Sequence, residues 1–210
     1  LLVAQAAMAA EVEYELTPML TDQALGAVQI DLHFTGEVDG ETRLELPGSW
    51  GGQEQLWLDL EDLRVVSGAE MAAGDGPAVR ILKHAPQSRI HVRYRVVQNW
   101  KEGPPSATDG NPYRPIIQPN YFHLIGNAAF VAPEIEQGVS AQIRVKDLPQ
   151  GWRFASDLEH AGLTLGQVKA SVSVAGDYRI LRDEASGMRV AIRGEWTFGD
   201  AEFLASVARI

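Results

Sequence analysis

Apolar residues recur at every second position along much of the chain, and this constrains the fold more than any other feature. Val12, Tyr14 and Leu16 alternate with Glu11, Glu13 and Glu15. Val28, Ile30, Leu32 and Phe34 alternate with Gln29, Asp31 and His33, and Ile90, Val92, Tyr94 and Val96 with Arg89, His91, Arg93 and Arg95. Shorter runs repeat the pattern around Leu44 and Leu46, Ile143 and Val145, and Val190 and Ile192. A period of two places all the apolar side chains of a strand on one face. Strands with one face on a core and the other in water are the antiparallel kind. Asp39-Gly40, Gly74-Asp75-Gly76, Gly176-Asp177 and Ser186-Gly187 supply turns between the runs. Many short strands without interleaved long helices predict an all-β fold, an antiparallel β-sandwich. A chain of 210 residues accommodates one such domain at 11–210, after an apolar leader at 1–10.

Helical signals are few. Ser156-Asp157-Leu158-Glu159 has the form of a capping box, which Gly162 cuts short. Asp200 can cap a last segment, Glu202 falls in its first turn, and Phe203, Leu204, Val207 and Ile210 line one face, which predicts a short C-terminal helix. From Lys101 to Pro119 a long connection carries Pro104, Pro105, Pro112, Pro115 and Pro119. Loops of that length are uncommon and tend to carry function.

Composition removes several classes of activity. With 28 Asp+Glu against 18 Lys+Arg the net charge is −10, which repels phosphate backbones, so nucleic acid is not expected as a partner. No run approaches the roughly 20 apolar residues of a membrane-spanning helix. The absence of cysteine excludes disulfides, Cys-ligated zinc and a thiol nucleophile. His33, His84, His91, His123 and His160 are not spaced as a helical zinc pair, and there is no H-E-x-x-H, so no metal or other cofactor is expected in this chain. Pro47-Gly48-Ser49-Trp50-Gly51 lacks the first glycine and the following helix of a nucleophile elbow, and no catalytic residue is assigned. Leu1–Ala10 ends in small residues at Ala7 and Ala9, like the tail of a secretory signal, which predicts a periplasmic or secreted protein; a short apolar leader is the other reading.

The basic stripe Arg89, His91, Arg93, Arg95 and the acidic stripe Glu11, Glu13, Glu15 are expected to pair with charges on neighbouring strands, and His33 and His91 to be solvated. Trp50, Trp57, Trp100, Trp152 and Trp196 are expected mainly as core or loop anchors. Trp50, on a glycine-rich loop, is a candidate ligand contact. The segment Tyr121–Asn127 follows the proline-rich loop, and its polar groups Tyr121, His123 and Asn127 are further candidates for substrate binding. The alternative for this segment is plain core burial of Phe122, Leu124 and Phe130.

Three stretches in order resemble the N-terminal domain of the glycyl-aminopeptidase type of zinc metallopeptidases. They are Leu46-Pro47-Gly48-Ser49-Trp50, Ile90 to Val96 (IHVRYRV), and Leu148-Pro149-Gln150-Gly151-Trp152-Arg153-Phe154-Ala155-Ser156-Asp157-Leu158. The first departs from the family's pattern, with Gly51-Gly52-Gln53-Glu54 in place of a Pro-Gly-x-Tyr turn. The resemblance implies a non-catalytic β-domain that packs on a downstream catalytic domain and shapes its cleft, meeting the peptide substrate only through that domain. Zinc would belong to the downstream domain, which the family often follows with a PDZ module. Two other readings of the residues stay open: a self-standing periplasmic β-sandwich binding or adaptor module, and a small hydrolase using carboxylates.

Overall fold

The computed structural model describes residues 12–100, 113–136, 138–158 and 163–207. Its strands are β1 (Val12–Thr21), β2 (Ala24–Thr35), β3 (Glu41–Glu45), β4 (Leu60–Ser67), β5 (Ala69–Ala73), β6 (Val79–His84), β7 (Arg89–Val96), β8 (Ile116–Gln118), β9 (Tyr121–Ile125), β10 (Ala132–Pro133), β11 (Ala141–Val145), β12 (Arg153–Ser156), β13 (Val172–Gly176), β14 (Arg179–Arg182) and β15 (Arg189–Ile192). Three short helices, α1 (Gly126–Ala129), α2 (Leu165–Lys169) and α3 (Asp200–Val207), lie among and after them. The predicted all-β fold is found. The leader 1–10, most of the proline-rich loop, Glu159, Gly162 and Ile210 lie outside the described residues.

A five-stranded sheet in the order β11-β1-β2-β7-β4 carries the alternation. Its register sets Val12, Tyr14 and Leu16 opposite Phe34, Leu32 and Ile30, and these opposite Ile90, Val92 and Tyr94. All nine are fully buried. Burying each aliphatic side chain there is worth about 1.5–3 kcal/mol against exposure. Two further sheets, β10-β3-β6-β5 and β12-β13-β9-β8, bring Leu44, Leu82, Phe122, Leu124 and Ala175 into the same core. β14 and β15 form a separate hairpin.

The pairing departs from the antiparallel expectation at one place: β1 and β11 run parallel, Val12 beside Ala141 and Leu16 beside Val145. The turn between β1 and β2 uses Asp22 and Gln23, both at positive φ (50° and 67°), without a glycine. That is the twist a two-residue hairpin needs, and Asp tolerates it better than most residues.

Two core tyrosines carry polar tips that the alternation does not disclose. Tyr14 donates to the Val131 carbonyl at 2.8 Å. Tyr94 donates to the Ala129 carbonyl at 3.2 Å and accepts from the Val131 N–H at 3.1 Å. They bind the stretch after α1 to the large sheet, and burial pushes both phenols well above their ordinary pKa.

Of the capping pattern at Ser156 only the first residues, up to Leu158, lie among the described ones. Ser156 closes β12, and its Oγ accepts from Leu158 N–H at 3.2 Å, an alternative use of the same side-chain chemistry. The capping box belongs to α2, where Thr164 and Gln167 exchange side-chain bonds to each other's backbone N–H groups. The proline-rich connection is also shorter than expected, because Ile116–Gln118 already pairs with β9 as β8. The C-terminal helix forms as predicted, and none of its residues is buried.

Candidate functional site

The Leu46–Gly52 loop leaves β3 and is held from several sides. Leu46 N–H donates to the Ala78 carbonyl at 2.8 Å, and the Gly48 carbonyl accepts from Leu56 N–H at 3.0 Å. Trp50 and Gln53 bridge across a tight turn whose Gly51 has φ 57°. A Cβ at Gly51 would collide with the Tyr113 ring, so the bare backbone lets the end of the proline-rich loop lie on this turn. Trp50 itself is 45% exposed.

Beside this loop a buried ion pair ties the same two segments. Asp59, fully buried, accepts from Arg114 Nη1 at 2.8 Å, while Arg114 Nη2 donates to the Glu54 carbonyl at 2.8 Å. Asp59 Oδ1 is buried with no hydrogen-bond partner among the described residues. Burial raises the Asp59 pKa, outweighing the charge and hydrogen bond of Arg114. Trp100 anchors locally, its indole donating to the Pro115 carbonyl at 3.1 Å.

Asn127, the second residue of α1, shares a polar recess of about 230 Å³ with Glu45, Pro47, Gly48, Ser49 and Lys169. Lys169 and Glu45 pair across it at 2.6 Å. Asn127 therefore meets the loop that carries Trp50, although Trp50 does not line the recess.

Tyr121 and His123 lie elsewhere, on the outer side of β9, while Phe122 and Leu124 point to the core. A cavity of about 520 Å³ is bounded by His123, Ala155, Asp157, Val174, Tyr178 and Arg189 among others, between that sheet and the β14–β15 hairpin. His123 Nδ1 is buried without a partner among the described residues, and burial lowers the pKa of the ring, which keeps it neutral at pH 7. Ser156 and Asp157 line the same cavity, yet Ser156 Oγ donates to the Val172 carbonyl at 2.8 Å and Asp157 Oδ1 accepts from Val172 N–H at 3.0 Å. Ser156 Oγ also donates to Asp157 Oδ1 at 3.3 Å, and both atoms are at the same time bonded to the Val172 backbone. Tyr121 packs under the Arg193 guanidinium, 4.0 Å from its ring centroid, and edge-on to Tyr178. The four candidate residues thus fall in two places, with Trp50 and Asn127 around one loop and Tyr121 and His123 on one sheet face.

Glu11 lies outside the described residues; the rest of the charged stripes pair as expected, and they enclose a group that the alternation hides. Arg89 meets Glu13 at 3.2 Å, Lys146 meets Glu15 at 2.5 Å, and Arg95 meets Glu61 at 2.9 Å. Asp31, on the polar face of β2, is only 3% exposed. It accepts from Gln29 at 2.9 Å, His91 at 2.5 Å and Arg93 at 2.6 Å. Burial pushes its pKa up, but these donors and the Arg93 charge outweigh burial and hold it below the usual carboxylate value. His91 is accordingly no solvated histidine; it stacks on His33 with ring centroids 4.1 Å apart.

Among the described residues no group of three or more His, Asp or Glu could hold a metal ion, so the side chains present do not fit a zinc site. No helix among them is long and apolar enough to cross a membrane.

In fold, the chain is similar to an aminopeptidase N family protein from Idiomarina loihiensis, with 15% identity and a TM-score of 0.68 over 94% of this chain and 35% of that one. Looser likenesses are to an M1 zinc metallopeptidase from Deinococcus radiodurans (13% identity, TM-score 0.45, 92% of this chain and 50% of that one) and to a two-domain M1 zinc metallopeptidase bound to L-tryptophan (12%, 0.47, 95% and 52%). The likeness is one of fold and rests on the first of these. The chain spans between about a third and a half of the length of these solved structures. No protein-family model matches it, and no curated protein does.

Proposed function

We propose that this chain is the non-catalytic N-terminal β-domain of an aminopeptidase-like zinc metallopeptidase, packing on a catalytic domain that follows it and shaping one wall of that domain's peptide cleft. The carrying observation is the fold match that takes in 94% of this chain but 35% of the longer peptidase. The order of the Leu46–Trp50, Ile90–Val96 and Leu148–Leu158 stretches supports it. Zinc would then belong to the following domain. In this reading Trp50 and Asn127 mark one edge of the cleft-facing surface, and Tyr121 and His123 a second. Export to the periplasm or beyond is part of the proposal, on the strength of the leader's Ala7 and Ala9; sequencing the N-terminus of the mature protein tests it, and a chain that keeps Leu1 speaks against it.

The decisive experiment compares this 210-residue chain with the longer natural polypeptide that contains it. The longer form should hold one zinc and hydrolyse aminoacyl substrates, and the shorter form neither. A reading frame that ends soon after Ile210, or a continuation without H-E-x-x-H, overturns the proposal and favours a self-standing binding module.

A further inference from the structure

Helix α3 and the segment before it present an apolar surface to solvent. Helix α3 has eight residues and buries none of them. Isolated helices shorter than about 12–15 residues are marginal in water, and most helices in proteins owe their stability to a packed face. Contacts that fasten α3 to the rest include a two-pronged ion pair from Arg179 to Asp200 at 3.1 and 2.9 Å, with side chains 44% and 40% exposed, and the packing of Phe203 on Trp196 and Phe198. Solvent screens a pair so open to water. These contacts leave every described residue of the helix at least partly open to solvent.

The same segment carries a preformed aromatic cluster. Trp196, Phe198 and Phe203 stand with ring centroids 5.0, 5.9 and 5.2 Å apart. Trp196 is 47% exposed, and its indole N–H is used internally on the Arg193 carbonyl at 3.0 Å. The outward side of the cluster is therefore apolar, and Leu204 and Val207, half-buried, extend it along α3. Rigid aromatic rings with their polar atoms already satisfied lose little entropy on docking, which is the character of binding anchors. Glu195 and Glu202, both exposed, border the patch.

We infer that the Trp196–Phe198–Phe203 cluster and the α3 face are the docking surface for the domain that follows this chain, received by an apolar hollow with basic residues at its rim. This rests on the proposed function. The occupant is argued from the fold match, in which roughly two-thirds of the similar peptidase has no counterpart here. A tethered partner there acts at high effective concentration and needs few contacts to stay docked.

Amide hydrogen exchange of residues 196–207, measured in the 210-residue chain and in the longer polypeptide, tests the inference. Protection should rise about a hundredfold in the longer form, because α3 opens freely unless covered. Phe203→Asp in the longer form should return these amides to the exchange of the shorter chain while those of β1, β2 and β7 stay protected. Trp196→Gln repeats the test should Phe203→Asp not fold. A longer form that holds zinc and cleaves substrate but leaves 196–207 as open as in the shorter chain overturns the inference and leaves the proposed function standing. A longer form that protects 196–207 without zinc or activity does the reverse. Protection in the shorter chain that grows with protein concentration assigns the patch to a second copy and also overturns the inference.

Discussion

Tyr94→Phe removes a single oxygen from the core and exposes how the layers are joined. The hydroxyl accepts from Val131 N–H at 3.1 Å and donates to the Ala129 carbonyl at 3.2 Å. Both backbone groups would then be buried without a partner. Each costs about 1–3 kcal/mol, and the longer of the two bonds less, so the expected loss is about 2–4 kcal/mol. For a chain of this size that lowers the melting temperature by roughly 5–12 °C. Tyr14→Phe leaves only the Val131 carbonyl without its donor. A carbonyl tolerates that better than an N–H does, so the loss should be about 1–2 kcal/mol. Urea unfolding of wild type, both single variants and the double variant measures this, with midpoints shifting at constant m. Because both hydroxyls act on Val131, the double variant should deviate from additivity. A Tyr94→Phe loss below about 0.5 kcal/mol, or one smaller than that of Tyr14→Phe, refutes the claim that these hydroxyls clamp the 129–131 segment.

Other consequences follow from the buried charges and the candidate site. Arg114→Ala strands the Asp59 carboxylate and should cost about 3–5 kcal/mol at pH 7. Asp59 already has a raised pKa in the folded state, so its contribution to stability is greatest below its unfolded value of about 3.9 and is lost as pH rises through the folded value. The Arg114→Ala penalty should therefore shrink toward pH 4, and denaturant unfolding that finds it constant between pH 4 and pH 7 contradicts the account. For Asp31 the sign is opposite. Its folded pKa is depressed, so its stabilisation is present above about pH 3.9 and is lost as pH falls through the folded value. Asp31→Asn should cost about 1.5–3 kcal/mol at pH 7 and progressively less in acid, and a pH-independent difference would sink that reading. In the longer polypeptide, His123→Ala or Asn127→Ala should raise KM or lower kcat without lowering Tm, whereas activity that falls only in step with Tm makes these residues structural.

Much of the sheet was legible in the chain itself, because a half-buried strand writes its orientation at every second residue. Val12 to Leu16, Val28 to Phe34 and Ile90 to Val96 all bury the side the alternation assigns. What stayed hidden depends on residues far apart in sequence. Asp31 occupies a polar position, and only the later arrival of His91 and Arg93 on β7 buries it. The Asp59–Arg114 pair joins residues with a proline-rich loop between them, and neither neighbourhood marks the other. The Asp22-Gln23 turn lacks the glycine that would have announced it. For the site, the sequence pattern set Tyr121 and His123 on the side of the strand opposite Phe122 and Leu124, and the burial agrees. It had no means of showing that Tyr121 and His123 part company with Asn127, which turns away where β9 passes into α1.

The parallel pairing of β1 with β11 has a consequence for how the protein is made. Val12 finds Ala141 about 130 residues later, so β1 emerges from a ribosome long before the strand that covers its outer edge. At about 5–20 residues per second the wait is roughly 6–26 s. Throughout it, β1 and β2 can form a hairpin whose free edge offers backbone donors and acceptors to any neighbouring nascent chain. Glu13 and Glu15 sit on that strand. Two copies laid edge to edge would bring these carboxylates close together, whereas β11 arrives with Arg144 opposite Glu15 and Lys146 just beyond to bind it. The charge pattern thus disfavours a second copy of the same strand at this edge and favours the basic strand encoded later in the chain.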